Sequence, residues 1–345
     1  MSVMAAREKI SALLPAVTGL LAAIVFTALL LWSCGYDVAL AFGALGRGAF
    51  GSSFAMAETL VKSIPLLITG LAIALAFRAG VWNIGAEGQL LVGALAAASV
   101  ASGLARLPAG VGLILLFVAG ALAGSAWGAI AGVMKIRRNV PEVVATILLN
   151  FIALETVRYA VNGPLMESAG RFPQTDPLAQ VLRLWRLLPP ARLHAGILLA
   201  LALAVFLYLF FTRTVFGWQM QMVAANPVAA RFAAMAVGRV RLLSLMLSGA
   251  MAGLAGVVEL TGVTYRLYQN FSPGYGYTAI AVALMAKLHP LAIMGTAFFF
   301  GALENGATAM QRQANVSAVI VYTIQGIVIV AVAVISALEL RKTKL

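Results

Sequence analysis

The sequence predicts an all-α, polytopic membrane protein with about ten transmembrane helices, and three observations predict it. Of its 345 residues, 62% are hydrophobic and only 10% are charged, where soluble domains carry roughly 25% charged residues. Apolar runs of about 20 residues recur from Leu13 to Leu338, long enough to cross a hydrocarbon core of about 30 Å. These runs are continuous and do not alternate in the segments of about 10 residues that a transmembrane β-barrel requires. The net charge of +13 is set by arginines and lysines at the ends of the apolar runs. They read as topology determinants, and no nucleic-acid role is expected.

The spans fall at about 13–33, 59–77, 85–104, 110–134, 142–161, 194–212, 242–264, 276–288, 291–311 and 316–338. The first follows Arg7 and Lys9 and is too long for the apolar core of a signal peptide, so it is expected to be retained. The eighth is short and is expected to be a half-helix, a re-entrant segment, or a longer run through irregular backbone. With the N-terminus in the cytoplasm, 14 basic residues fall inside and 9 outside, with Arg158 within a span. The two densest short clusters, Lys135/Arg137/Arg138 and Arg341/Lys342/Lys344, both fall inside, as the positive-inside rule requires. An even number of spans returns the C-terminus to the cytoplasm.

The fourth span carries Gly120, Gly124, Gly128 and Gly132. Four-residue spacing puts them on nearly one stripe of a helix, where small residues let a second helix approach closely. Gly249, Gly253 and Gly256 in the seventh span suggest a second such stripe. The outer loop, 162–193, holds five prolines and Trp185 and is placed to meet an extracytoplasmic partner. Cys34 is the single cysteine, so no intrachain disulfide is available.

Polar residues inside this apolar chain are the candidates for function. The stretch Phe77 to Gly93, FRAGVWNIGAEGQLLVG, places Asn83, Glu87 and Gln89 among glycines. A carboxylate at membrane depth costs at least about 2.5–3.5 kcal/mol, and such a segment lines a cavity or is covered by protein. Glu87 has two readings: it faces a central cavity, or it bonds backbone amides beside its glycines, which is favoured. Asn83 and Gln89 either face a polar solute or join helices. Glu304 and Asn305 form a second mid-span island with a cavity reading. Phe271 and Tyr275 stand where a base could stack on them. Glu155 and Arg158, three apart, are expected to pair. Glu259 and Gln325 are expected to tie helices together.

No phosphate-binding Gly-x-x-x-x-Gly-Lys loop occurs, so any ATP and magnesium would be used by another chain, and this one is expected to bind no cofactor. His194 and His289 are solitary, giving no metal site, and no nucleophile motif or cluster of catalytic residue types is present, so an enzyme is not expected. Asn226 followed by Pro227 is a helix-start signal. The segment Pro227 to Ala236 is expected to form a short helix carrying Ala230 and Arg231, ended by Gly238, in a cytoplasmic loop at 213–241. Its alternative is an ordinary connecting turn with topogenic charge.

Three blocks carry a family resemblance: LLITGLAIALAFRAGVWNIGAEGQLLVGA from Leu66, AANPVAARFAAMAVGRVRLLSLMLSGAMAGLAG from Ala224, and FSPGYGYTAIAVALMAKLHPLAIMGTAFFFGALENGATAMQ from Phe271. They resemble the permease subunits of ABC importers, in the branch that carries nucleosides and simple sugars within the ribose-type and branched-chain amino-acid group. The resemblance implies a single transmembrane permease domain whose repeat halves, 59–161 and 242–338, are inverted in a bacterial inner membrane. It implies three partners besides lipid: a second homologous permease, a cytoplasmic ABC ATPase and an extracytoplasmic solute-binding protein. It makes Asn226 to Gly238 the helix that couples to the ATPase, although Ala224 and Ala234-Met235 depart from the family's usual Gly and Gly-Ile. The solute implied is a nucleoside, with a simple sugar or nucleobase as alternatives. An ion-coupled secondary transporter is the rival class, and Glu87 with Glu304 would be its coupling site.

Overall fold

The computed structural model describes residues 21–324, 326, 327, 330 and 331. Arg7, Lys9, Gln325 and the basic C-terminal cluster lie outside the described residues. Thirteen helices cover most of the rest: α1 (Leu21–Ser33), α2 (Val38–Phe50), α3 (Ser53–Phe77), α4 (Ala86–Leu104), α5 (Ala109–Arg138), α6 (Glu142–Asn162), α7 (Gly196–Arg213), α8 (Val215–Ala225), α9 (Pro227–Phe232), α10 (Val237–Glu259), α11 (Tyr275–Met285), α12 (Pro290–Gln313) and α13 (318–324). A single π-turn, Leu260–Thr264, extends α10. Six of these helices are long and apolar enough to cross a membrane: α3 to α7, and α10 with its extension. The chain is therefore an all-helical, multi-pass membrane protein. The sequence reading omitted α2, which begins where Asp37 accepts the Leu40 N–H at 2.9 Å, and it began α3 six residues late.

Residues 63–298 form one compact unit, and the chain up to Lys62 with that from Phe299 forms another. In the larger unit α4, α5 and α10 pack with almost no side chain between them. A methyl added at Gly124 would strike the Gly249 carbonyl, one at Gly128 the Leu245 carbonyl, and one at Gly93 the Gly253 backbone. From the other side, methyls at Gly249 and Gly253 would strike the carbonyls of Gly124 and Gly120, and one at Gly256 that of Leu90. The α5 stripe and the Gly249–Gly253 part of the α10 stripe are thus the two sides of one contact, and Gly256 faces α4. Residues of α3 are buried all round, with Ile64, Leu66, Ile68, Leu71 and Ile73 fully inaccessible, as suits a helix that is apolar on every face.

The outer loop is irregular apart from one 3₁₀ turn, Gln180–Leu182. It is stitched to 261–268 by backbone bonds from Thr175 to the Leu267 carbonyl and from Leu178 to that of Tyr265, both 2.8 Å, and from Leu184 to that of Thr261 at 2.9 Å. Arg266 pairs with Glu167 at 2.9 Å across the same contact.

The smaller unit packs Leu31, Ala41, Ala44, Ala307, Met310, Val316, Val321 and Ile324 into a core of its own. Lys62 lies within α3, where it pairs with Glu304 at 3.1 Å. An ammonium at that depth is neutralised by its neighbour's carboxylate and needs no aqueous loop.

Candidate functional site

The polar stretch singled out in the sequence is a break between two helices. Gly80, at φ +70°, ends α3: the Val81 N–H donates to the Ala76 carbonyl at 3.1 Å and the Gly80 N–H to that of Phe77 at 3.0 Å. This six-to-one and five-to-two pairing is the glycine-terminated helix end. Residues 81–84 then form no regular structure before α4 begins.

A helix start exposes up to four N–H groups without partners. Side chains from elsewhere meet them here. Asn83 Oδ1 accepts the Gly85 N–H at 3.0 Å, and Asn150 Oδ1 accepts that of Gly88 at 2.9 Å. Asn150 Nδ2 donates to the Ile84 carbonyl at 2.9 Å and to the Tyr277 hydroxyl at 3.2 Å. The amides of Asn83 and Gln89 pair head to head at 2.9 and 3.2 Å. Asn83 Nδ2 also donates to Ser248 Oγ at 2.8 Å, and that hydroxyl donates to the Ala72 carbonyl at 2.6 Å. All of Asn83, Gln89, Ser248 and Asn150 are buried.

Glu87 reaches outside its own helix. Its Oε2 accepts the Gly276 N–H at 2.6 Å, and Ser272 bonds it too. Gly276 lies in the first turn of α11, whose N-cap, Gly274, offers no side chain. The carboxylate therefore sits at the N-termini of α4 and α11 together, where both helix dipoles favour negative charge. Only glycine fits at 276, since an added methyl would meet the Glu87 backbone. The short eighth span is α11, 11 residues long, about 16 Å at 1.5 Å per residue.

The remaining candidates lie elsewhere. Phe271 is buried, edge-on to Tyr268 with ring centroids 5.9 Å apart, and Tyr275 is buried too. Glu304 and Asn305 belong to the smaller unit. There Asn305 Nδ2 donates to the carbonyls of Gly48 and Ala55 at 2.8 and 3.0 Å and to Thr59 Oγ1 at 3.1 Å. Glu155 and Arg158 do pair, at 2.8 Å. Sequence reasoning missed Asn150, Ser248 and Tyr277. The first was detectable as an amide in the middle of an apolar span, by the same cost argument that picked out Glu87. Among the described residues no group of three or more His, Cys, Asp or Glu could hold a metal.

In the loop after α7, Thr214 Oγ1 caps α8 by accepting the Gly217 N–H at 3.0 Å. Asn226 Oδ1 accepts the N–H groups of Val228 and Ala229, each at 3.0 Å, and Pro227 takes the first position of α9. Ala230 is buried, while Val228, Arg231 and Phe232 are exposed, Phe232 by 89%. The expected end at Gly238 is corrected. Helix α9 stops at Phe232, Ala234 turns the chain at φ +58°, and Gly238 lies inside α10. A left-handed alanine costs roughly 1–2 kcal/mol, which accounts for the resembled family's preference for glycine there. The C-terminal turn of α8 rests on the break itself, since a methyl on Gly80 would lie 3.0 Å from Ala224 Cα.

Just before α7, His194 is fully buried. Its Nδ1 accepts the Gly196 N–H at 3.2 Å, and its Nε2 has no partner among the described residues. Burial, aided by Arg192, lowers its pKa from 6.5 to about 4. An exposed imidazole titrates near 6.5, so the closed loop has its full stability above that pH. It loses stability as pH falls toward 4, because the opened form takes up the proton first; the interval is worth about 3 kcal/mol. We expect the melting temperature of the purified chain to drop between about pH 7.5 and pH 4.5, and a His194→Leu variant to flatten that drop.

Comparison with known proteins places these features. Residues 55–333 match the family described as branched-chain amino acid transport system / permease component. The glucose ABC transporter permease protein of Haloferax volcanii is 37% identical over 299 residues, covering 84% of this chain and 78% of its own. The guanosine ABC transporter permease protein of Bacillus subtilis is 34% identical over 330 residues, covering 94% of each. A nucleoside ABC transporter permease protein of Lactococcus lactis is 29% identical, covering 82% of this chain and 80% of its own. No solved structure matches significantly.

Proposed function

The chain belongs to the branched-chain amino acid transport system / permease component family, and from that premise we propose that it carries nucleosides inward as half of an ATP-driven pore. It is a transport component of an ABC importer in the nucleoside and simple-sugar branch, and not an enzyme. Membership implies work with an ATPase and a solute-binding protein. The observation that carries the nucleoside reading is the similarity to the guanosine permease over 94% of both chains. The 37% identity to a glucose permease keeps a simple sugar as the second reading.

The finer architecture proposed is ten spans with both termini cytoplasmic, in a bacterial inner membrane, paired with a second permease. ATP and magnesium are used by the ATPase alone. The halves 59–161 and 242–338 are read as inverted repeats. The meeting of α4 and α11 through their N-terminal turns supports this, because inverted halves bring two irregular helix entries together near the membrane centre. Asn226, Pro227, Ala230 and Arg231 form the ATPase contact, with Gly238 just behind it in α10. Exposed Val228 and Phe232 on a side-chain-capped helix support that reading, as does Ala224 resting on the break at Gly80. Glu304, one of the two carboxylates weighed for a coupling ion, is already neutralised by Lys62.

The test is uptake of guanosine, glucose and adenine into proteoliposomes holding the whole complex. Guanosine uptake should need ATP and the binding protein and should survive collapsed ion gradients. Glucose uptake without guanosine uptake would sink the nucleoside reading. In the same assay Asn226→Ala and Arg231→Glu should hydrolyse ATP with uptake reduced several-fold. Normal uptake by both would remove the coupling assignment.

A further inference from the structure

One face of α6 carries charge where its own chain leaves it uncovered. The Glu155 and Arg158 side chains are 63% and 41% exposed although they pair with each other. Glu155 stands seven residues before the end of α6, roughly 10 Å inside the span. Arg158 Nε is itself buried and has no hydrogen-bond partner among the described residues, so a donor is left over. Tyr159, 74% exposed, follows Glu155 by four residues, and Phe151 precedes it by four, so the three share one stripe of the helix. The opposite face, with Asn150 and Ala153, packs on Gly88 at the start of α4. Tyr277 of α11 is 45% exposed, and its hydroxyl accepts from that same Asn150.

Charged side chains within a span face a water-filled cavity or another protein surface and not lipid tails. A pore formed between two permease chains is lined by side chains that each chain alone leaves exposed. Asn83, Glu87 and Gln89 are buried within the chain and bonded to one another or to its own backbone. We propose that Glu155, Arg158 and Tyr159 form this chain's wall of the solute path and contact the solute through its sugar ring. This rests on the chain being half of a pore. The carboxylate accepts from adjacent ring hydroxyls, the guanidinium donates to them, and the Tyr159 ring lies against the flat face of a sugar or base. A nucleoside and a monosaccharide share this hydroxyl chemistry, and a free nucleobase lacks it.

The test uses the whole reconstituted complex with Cys34→Ser, since Cys34 is exposed. Glu155→Cys and Tyr159→Cys are labelled with the membrane-impermeant 2-sulfonatoethyl methanethiosulfonate, with and without ATP. Phe206→Cys, on an exposed apolar face of α7, is the comparison. A thiol in a water-filled path ionises and reacts, while one against lipid does not. Labelling at 155 and 159 should be roughly tenfold or more faster than at 206, and guanosine, ribose or glucose should slow it. Equal labelling at all three positions with and without ATP would overturn the wall. Protection by adenine but by no sugar-bearing solute would overturn the sugar-ring contact. Protection by glucose with no guanosine uptake would leave the wall standing and refute the nucleoside reading alone.

Discussion

Replacing Gly124 with leucine is expected to prevent stable assembly of this permease. The new side chain would have to occupy the place of the Gly249 carbonyl. That carbonyl belongs to the backbone of α10 and moves only if the helix moves. Overpacking a core costs typically about 1–3 kcal/mol when side chains can yield; here none lies between the helices to yield, so the cost should be at least about 3 kcal/mol. Displacing α10 would also separate it from α4, where Gly256 meets the Leu90 carbonyl. Gly103→Leu is the matched control, because nothing lies near its added methyl, and it should be neutral or stabilising by up to about 1 kcal/mol. Yield of monodisperse protein and its melting temperature decide the matter. A Gly124→Leu protein that melts with the control would mean α5 and α10 are not held by this contact.

The second large effect is expected at Glu87. Truncation to alanine removes the acceptor at 2.6 Å from the Gly276 N–H and leaves that buried donor unpaired. An orphaned buried donor costs about 1–3 kcal/mol, and a bond to a charged acceptor contributes about 1.5–3 kcal/mol. The loss falls where α4 and α11 both begin, so we expect uptake to fall by at least about tenfold while ATP hydrolysis continues. Glu87→Gln keeps an acceptor oxygen and should lie between wild type and alanine. Equal uptake by the two variants would show that acceptance of the Gly276 N–H is not what Glu87 contributes.

Much of the fold was legible in the chain because long apolar runs have one stable form in lipid, the helix. Glycine spacing announced a close helix contact for the same local reason: the stripe is a property of one helix. What spacing left unsaid was the partner. The stripe at Gly120 to Gly132 and the pair Gly249 and Gly253 looked like two contacts and are one, while Gly256 turns to α4, since mating depends on how distant segments dock. The eighth span's shortness was visible, but its meeting with α4 was not, because Glu87 and Gly276 are 189 residues apart. Boundaries set by backbone torsion escaped as well. Gly238 looked like the end of α9, yet Ala234 makes the turn and Gly238 continues a helix.

The sequence by itself determined that this protein is a multi-pass helical permease, and it determined which residues are out of place in lipid. Hydrophobicity and helical periodicity act within a single segment, so both are written locally. Only the tertiary structure decided what the misplaced polar groups do. Burial and hydrogen bonding are properties of pairs, and they assign Asn83, Gln89, Asn150 and Glu87 to holding a broken helix entry together. The same criterion leaves Glu155, Arg158 and Tyr159 exposed. A polar stretch that reads from the sequence as a site is, in the folded chain, a buried and hydrogen-bonded frame.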